Sequence, residues 1–216
     1  METEVKLSFN NLDSLLSVAS SELFTEFKTG GDPKPMTLEN YYLDTPDRKI
    51  LNRKGSVRKR IVKGDESFIE GTVKYGGGAA SGLHKRYEWN ARLDGDFSIE
   101  EFKKHVSSDG DPAELLDEVF ENVTTSELIP LCFNSFERIV YELDYFGSRI
   151  EACFDSGIIY NSDKSESEDI CELELELIDG NESDLIDLTE RIKAEFVCSP
   201  LDKSKFQRTL ELAKRG

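Results

Sequence analysis

The chain has few residues of the kinds that build zinc sites or disulfide frameworks. Its 216 residues include four cysteines and two histidines. The cysteines are widely spaced and form no Cys-x-x-Cys pair, the spacing that zinc and redox motifs use. They are Cys132, Cys153, Cys171 and Cys198. We therefore expect reduced, buried thiols, as is usual for a cytoplasmic protein, and no structural zinc.

Long apolar segments and an excess of basic residues are also missing. No apolar run approaches the roughly 20 residues of a membrane span, and the acidic start of the chain lacks the apolar segment of a signal peptide. Lysine and arginine total 27 against 44 aspartates and glutamates, a formal net charge of −17. Nucleic acids and anionic membranes attract basic surfaces. The sequence therefore predicts a cytoplasmic protein that has neither as a partner.

A pattern of charges two residues apart recurs along the chain. In the first segment Glu2, Glu4 and Lys6 alternate with Val5 and Leu7. Successive side chains of a strand point to opposite faces, so each such segment has one charged and one apolar or mixed face. The pattern occupies residues 1–9, 56–62, 68–75, 83–93, 133–144, 149–155 and 171–177.

This repetition predicts an α+β fold in which an antiparallel sheet closes into a barrel. Helices would cover the apolar outer rows, and the charged rows would face the lumen. Helical spacing predicts such helices from Asn10 or Asn11 to about Lys28, over 97–106 and 112–120, from Ser183, and after Pro200. At this length we expect a single domain over residues 1–216.

A charged lumen needs a ligand, because unpaired buried charges are too costly to keep for structure alone. Arginines and lysines suit phosphate oxygens, and carboxylates without His or Cys suit Mg²⁺ or Mn²⁺. The cationic candidates are Lys6, Arg58, Arg60, Lys74, Arg86 and Arg138, and the anionic ones are Glu2, Glu4, Glu70, Glu88, Glu151, Asp155, Glu172, Glu174 and Glu176. Together they predict a polyphosphate bound through metal.

A glycine-rich segment at residues 76–82 resembles a phosphate-binding loop only superficially. It lacks the Gly-Lys-Ser/Thr ending and a following helix. We predict a flexible loop at the mouth of the barrel. Its Gly, Ala and Ser side chains offer little surface for stacking on an organic group.

The order of these motifs resembles the CYTH domain, or triphosphate tunnel metalloenzyme, family and is most similar to the CYTH domain of bacterial inorganic triphosphatases. The similar segments are Glu-Thr-Glu-Val-Lys (2–6), Tyr-Tyr-Leu-Asp-Thr-Pro-Asp (41–47), Gly-Leu-His-Lys-Arg-Tyr-Glu-Trp-Asn (82–90) and Ile-Cys-Glu-Leu-Glu-Leu-Glu-Leu (170–177). The chain departs from the family in having Lys59 on the covered face of the arginine strand. We also expect no counterpart of the helical domain that follows the CYTH unit in long bacterial relatives.

The resemblance implies an eight-stranded tunnel that binds triphosphate and one or two Mg²⁺ or Mn²⁺ ions. By position it assigns catalysis to Lys6, Arg58, Arg60, Lys74, Arg86, Glu88 and Arg138. It assigns substrate binding to the six cations among these and to Lys203 and Lys205. It assigns metal binding to Glu2, Glu4, Glu151, Asp155, Glu172, Glu174 and Glu176.

We therefore expect metal-dependent hydrolysis of inorganic triphosphate to diphosphate and phosphate. Three alternatives use the same lumen: a thiamine triphosphatase, a class IV adenylyl cyclase acting on a nucleoside triphosphate, and a non-catalytic module that binds polyphosphate or nucleotide. The first two must recognise an organic group at the mouth. The sequence shows no motif for this beyond Trp89, which alternation places toward the core.

Overall fold

The structure, a computed structural model, describes residues 1–106, 111–161 and 163–215. Its strands are β1 (Glu2–Phe9), β2 (Lys28–Thr29), β3 (Met36–Asp44), β4 (Gly55–Lys63), β5 (Phe68–Ala80), β6 (Leu83–Leu93), β7 (Ile129–Tyr145), β8 (Ser148–Tyr160), β9 (Ser167–Asp179) and β10 (Cys198–Pro200). Its helices are α1 (Leu12–Ala19), α2 (Glu22–Phe27), α3 (Lys49–Asn52), α4 (Ile99–His105), α5 (Ala113–Val119), α6 (Glu182–Glu195) and α7 (Lys205–Ala213).

Eight antiparallel strands close into a ring in the order β1-β6-β5-β4-β3-β7-β8-β9, and β9 pairs back onto β1. The closing pair brings Lys6 opposite Glu174. The short strands β2 and β10 extend the sheet by pairing with β7 and β1. The predicted α+β barrel of eight strands is thus confirmed.

The largest apolar cluster lies outside the ring, between the sheet and helices α1, α2 and α6. Leu7 of β1, Leu173 of β9, Leu15 of α1 and Leu188 of α6 are all fully buried there. Each such side chain contributes about 1.5–3 kcal/mol by leaving water. Because the helices bury these outer rows, the alternating polar rows must face inward.

The predicted helix from Asn11 to Lys28 is interrupted, and the interruption has a local cause. Asn11 caps α1 by accepting a 2.8 Å bond from the amide of Ser14. Ser21 then caps a second helix, α2, by accepting a 3.1 Å bond from the amide of Phe24. Serine favours the cap over the helix interior because its hydroxyl competes for nearby backbone groups.

Helices α4 and α5 cover the outer face of β4, β5 and β6, in agreement with the predicted covering helices. Phe102 of α4 is fully buried in this second cluster together with Trp89. The Trp89 indole donates a 2.9 Å hydrogen bond to the carbonyl of Asp111. The predicted linker between the two helices spans 107–111, and residues 107–110 lie outside the described residues.

Lys59 sits on this covered outer side but keeps its charge at the surface. Its ammonium forms an ion pair with the exposed Asp96 and lies 6.0 Å from the centre of the Tyr41 ring. A long aliphatic stem allows this arrangement without burying the charge.

The glycine-rich segment is not the loop that the sequence predicted, because β5 continues through Ala80. Gly78 pairs with Lys85 of β6, and the register shifts between Tyr75 and Gly78. Gly77 has φ +78°, and a Cβ there would lie 2.0 Å from the Lys85 carbonyl oxygen. Glycine therefore allows a bulge in a paired strand here.

Within the described ranges, no helix combines the length and the apolar character needed to cross a membrane.

Candidate active site

The lumen of the ring contains a cavity of about 220 Å³ with a strongly charged wall. Its cations are Lys6, Arg58, Arg60, Lys74, Arg86, Arg138 and Lys205, and its carboxylates are Glu2, Glu4, Glu70, Glu88, Glu151, Glu174 and Glu176. Seven positive and seven negative groups therefore surround a space of small-molecule size.

The most cationic part of the wall is formed by the arginines of β4. The guanidinium of Arg58 donates a 2.8 Å hydrogen bond to the Thr72 hydroxyl, and Arg60 Nε donates one of 2.8 Å to Asn40 Oδ1. The nearest carboxylate is that of Glu70, 3.6 Å from Arg58 and 3.9 Å from Arg60. Burial and the neighbouring arginines Arg58 and Arg138 lower the pKa of Arg60 to about 9. An added anion would therefore be stabilised here.

A second cluster of charged side chains lies on the neighbouring strands β1, β6 and β5. Lys74 Nζ lies 2.8 Å from a Glu2 oxygen and 2.5 Å from a Glu88 oxygen. Arg86 donates a 2.6 Å bond to Glu4. Although burial favours the neutral carboxyl, Lys6, Lys74 and Arg86 hold the pKa of Glu4 down at about 2.

For two other carboxyls in the lumen, burial outweighs the nearby cations. Burial, together with Glu88 and Glu4, raises the pKa of Glu2 to about 8, although Lys74 opposes the shift. Burial and Glu88 raise the pKa of Glu176 to about 7. Glu176 pairs in register with Glu4 on β1 and with Glu151 on β8, so carboxylates from three adjacent strands lie side by side.

This donor set fits a hard divalent cation. Among residues 1–106, 111–161 and 163–215, no three His, Cys, Asp or Glu side chains are already arranged to hold a metal ion. However, Glu2 and Glu176 offer oxygen donors whose negative charge stays disfavoured despite the nearby Lys74 and would be stabilised by a further cation, and Glu4 and Glu151 adjoin them. Oxygen ligands of this kind suit Mg²⁺ and Mn²⁺.

Helix α7 packs against lumen-facing side chains of the ring, whereas the other helices lie outside it. Its Ser204 cap accepts a 3.2 Å bond from the Gln207 amide. Phe206 stacks on Tyr42 with ring centres 4.7 Å apart, and Thr209 accepts a 2.8 Å bond from Asn134. The helix thereby closes part of the lumen.

The structure brings together most of the site residues that the sequence predicted. All seven predicted catalytic residues line the cavity, as do Lys205 and the predicted metal ligands Glu2, Glu4, Glu151, Glu174 and Glu176. Their roles in binding and catalysis remain predictions.

Three predicted residues do not line the cavity. Lys203 is exposed outside it and forms a 2.7 Å ion pair with Glu211, and its role in substrate binding stays a prediction. Asp155 and Glu172 face the lumen but are fully buried, because side chains of α7 cover them. Asp155 accepts two 2.6 Å bonds from Arg138, and Glu172 pairs with Arg208.

Several lining residues were absent from the predicted site. Tyr42, Thr72 and Asn90 could have been found because they continue the inward rows of β3, β5 and β6. The other lining residues without a predicted role are Ser56, Glu70, Ser204 and Phe206. Arg208 does not line the cavity but pairs with Glu172 behind its wall. It is three residues after Lys205 and so shares its helix face, which nothing in the sequence pattern placed inside the ring.

A closed antiparallel barrel with helices outside and a lumen of paired basic and acidic side chains defines a tunnel-type domain. The chain belongs to the CYTH domain family, whose sequence model matches residues 1–210.

Comparisons with individual proteins agree with this assignment. An inorganic triphosphatase from Haemophilus influenzae is 28% identical over 179 residues, which are 83% of this chain and 45% of that protein. The chain thus spans about half the length of this curated relative.

Solved structures show the same fold at low sequence identity. A Hippeastrum protein, described as a candidate adenylyl cyclase with a dominant triphosphatase activity, superposes with a TM-score of 0.66 at 15% identity, covering 98% of this chain and 95% of that one. A Pyrococcus horikoshii protein gives a TM-score of 0.57 at 16% identity, covering 98% and 99% of the two chains.

Proposed function

We propose that this CYTH domain, over residues 1–216, hydrolyses inorganic triphosphate to diphosphate and phosphate with the help of a divalent metal ion. The observation that carries the proposal is the 220 Å³ lumen walled by seven cations and seven carboxylates. The inorganic triphosphatase of H. influenzae, a partial relative, supports the choice of substrate.

The basic side chains would bind and orient the phosphoryl oxygens. Phosphoryl transfer depends mainly on positioning and on neutralising charge at these oxygens. Arg58 and Arg60 are already oriented by Thr72 and Asn40, so little reorganisation is needed when the anion arrives. Lys74 of β5, the strand paired with β4, and Arg86 of the next strand, β6, line the same cavity, where they could contact further oxygens of a linear triphosphate.

The hydrogen bonds around Arg58 continue toward the carboxylates. Thr72 donates a 2.7 Å bond to Asn90, and Asn90 donates one of 2.8 Å to Glu88. This chain of hydrogen bonds connects a group proposed to bind phosphate with a carboxylate near the proposed metal ligands. It would hold Arg58 and Glu88 in fixed positions relative to each other.

Glu2, Glu4, Glu151 and Glu176 would hold the metal. When bound, Mg²⁺ or Mn²⁺ supplies charge neutralisation and lowers the pKa of an attacking water. Among the described residues that line the lumen, no histidine accompanies the hydroxyls of Tyr42, Ser56, Thr72 and Ser204. His84 lines the adjoining compartment, and its ring nitrogen is hydrogen-bonded to the Leu201 carbonyl. Direct attack by water therefore fits the site best.

Hydrolysis of an organic triphosphate is the second candidate, and a specific feature favours it. A compartment of about 350 Å³ adjoins the lumen and shares Ser56, Lys74 and Arg86 with it. Tyr75 and Phe206 line this compartment and provide aromatic surface that the glycine-rich sequence did not predict. A nucleoside or thiamine group could occupy it while the phosphates enter the lumen.

The experiment that separates these candidates measures phosphate release from triphosphate, ATP and thiamine triphosphate, with Mg²⁺ and Mn²⁺. The proposal expects triphosphate to give the highest kcat/KM. Faster turnover of either organic substrate, or cyclic AMP and diphosphate appearing from ATP, would overturn it.

A further inference from the structure

The ammonium of Lys205, on α7, is surrounded by three carboxylates. Its ammonium nitrogen lies 2.7 Å from an oxygen of Asp155, 2.8 Å from one of Glu172 and 2.9 Å from one of Glu174. Asp155 and Glu172 are fully buried, and the Lys205 side chain is 7% exposed. Three carboxylates of the kind that hold Mg²⁺ therefore surround one side-chain cation.

The remaining oxygens of these carboxylates also have cationic partners. Arg138 donates to both oxygens of Asp155 and to Glu174. Arg208 pairs with Glu172, and Lys6 pairs with Glu174. Three negative charges are thus matched by four positive ones, and no further cation is needed there for charge balance.

Attachment of α7 to the ring holds the ammonium in place. The segment before the helix is tied to β1, where the Leu201 amide donates a 2.9 Å bond to the Lys6 carbonyl. Asp202 accepts a 2.6 Å bond from the Gly82 amide. The stacking of Phe206 on Tyr42 and the bond from Asn134 to Thr209 fix the helix beyond Lys205.

We infer that Lys205 is a built-in counter-cation that keeps divalent metal out of the Asp155, Glu172 and Glu174 group. These residues, which the sequence predicted as metal ligands, then serve to seat α7. Metal binding is confined to the other part of the lumen, where Glu2, Glu4, Glu151 and Glu176 lie. Metal binding to the protein without substrate does not depend on whether the protein hydrolyses triphosphate.

The test removes the charge of Lys205 while keeping a side chain of similar shape. Wild type, Lys205→Met and the control Lys203→Met are compared by equilibrium dialysis with Mn²⁺ in the absence of substrate. Lys203 is a matched control because it is a lysine two positions away that pairs with Glu211 outside the cavity. Circular dichroism checks that each variant is folded.

We expect Lys205→Met to bind one more Mn²⁺ per chain than wild type and Lys203→Met. We also expect the extra ion to be lost when Glu172→Gln is added to Lys205→Met. The same number of ions in folded Lys205→Met and wild type would overturn the inference, and so would an extra ion that survives Glu172→Gln.

A second measurement covers the case in which Lys205→Met does not fold. In the wild-type background, Glu172→Gln should leave the number of bound Mn²⁺ ions unchanged, because that carboxylate is already occupied by Lys205 and Arg208. A decrease in the number bound would show that Glu172 is a metal ligand and would contradict the inference.

Discussion

Lys6 and Glu174 face each other at the seam where β9 pairs with β1, the pairing that closes the ring, and their side chains form a buried ion pair in the lumen. Lys6 also lies 2.8 Å from a Glu4 oxygen. The lysine that the sequence predicted to bind phosphate therefore also joins two strands of the barrel.

This double role predicts a loss of stability when Lys6 is replaced. Lys6→Met leaves Glu4 and Glu174 without one of their cations in a buried site. Removing the only partner of a buried ion costs about 3–5 kcal/mol, and the loss here should be smaller because Glu4 keeps Arg86 and Glu174 keeps Arg138 and Lys205. Urea denaturation at neutral pH should therefore show a clearly lower midpoint.

The matched control is Lys63→Met. Lys63 pairs with Glu39 at the surface, and its side chain is 53% exposed. Exposed pairs contribute about 0–1 kcal/mol, so this variant should unfold close to wild type. Equal midpoints for the two variants would show that the seam does not depend on Lys6.

Arg58 gives the complementary prediction, because it can be removed with less damage to the fold. Its guanidinium bonds to Thr72 and lies 3.6 Å from Glu70, with no closer carboxylate. Under the proposed function, Arg58→Ala should lower kcat/KM for triphosphate by about 10²-fold or more, as loss of a charge-stabilising donor does. Steady-state phosphate release measures this.

Lys59→Ala is the control for this change. Lys59 is the next residue of β4 but points outward to Asp96. Its kcat/KM should stay within about threefold of wild type, since its pair is exposed and remote from the lumen. Similar losses in both variants would indicate that the effect arises from the strand and not from the lumen.

The sequence was sufficient to predict the ring and most of its lining because a strand has a period of two. Once Arg58 is assigned to the lumen, Arg60 follows, and the same argument places Glu2, Glu4 and Lys6 on one face. Lys205 was identified only through resemblance. Its place in the lumen depends on pairing with Asp155 and Glu172, which are distant in sequence.

Two local predictions from the sequence were wrong, for separate reasons. Ser21 divides the first helix because its capping bond outweighs the apolar periodicity that continues on both sides. Residues 76–80 form a strand because β6 supplies hydrogen-bond partners that glycine composition does not reveal. Both outcomes depend on bonds that hydrophobic patterns do not encode.

The charge balance of the cavity predicts a requirement for metal. Seven acidic side chains face seven basic ones, and the raised pKa values of Glu2 and Glu176 leave the wall only a small net positive charge near neutral pH. A divalent cation at Glu2, Glu4, Glu151 and Glu176 would make the local field positive. Phosphate release should therefore stop in excess chelator and return when Mg²⁺ or Mn²⁺ is added. Sustained turnover in chelator would rule out the metal-dependent proposal.

Glu127 gives a stability prediction that depends on pH. The hydrogen bond from Lys49, followed by those from the amide and hydroxyl of Thr124, lowers the pKa of this carboxyl from 4.5 to about 2. A pKa depressed by folding adds stability above the unfolded value, and this stability is lost as pH falls from 4.5 toward 2. Glu127→Gln should therefore unfold at lower denaturant than wild type at pH 7.

The decisive measurement is how the difference in denaturation midpoint between wild type and Glu127→Gln changes with pH. Because the variant has no carboxyl at this position, its deficit relative to wild type should shrink as the pH is lowered below about 4.5. Chemical denaturation at several pH values measures this. If the difference in denaturation midpoint stays constant down to the pH at which the protein unfolds, the pairing of Glu127 does not control its ionisation.

The last prediction concerns the choice between inorganic and organic triphosphates. In the 220 Å³ lumen, cations from five strands and α7 can surround a small linear polyanion. A nucleoside must instead lie in the adjoining compartment, where Phe206 is already stacked on Tyr42 and Tyr75 donates a 3.0 Å bond to Glu118. Because Tyr42 already covers one face of the Phe206 ring, Phe206 offers a base less free surface for stacking. We therefore expect triphosphate to exceed ATP in kcat/KM by about 10²-fold, equivalent to about 2.7 kcal/mol in transition-state binding.

Competition between the two substrates in one assay measures the ratio directly, and a ratio near one would show that the compartment accepts the nucleoside.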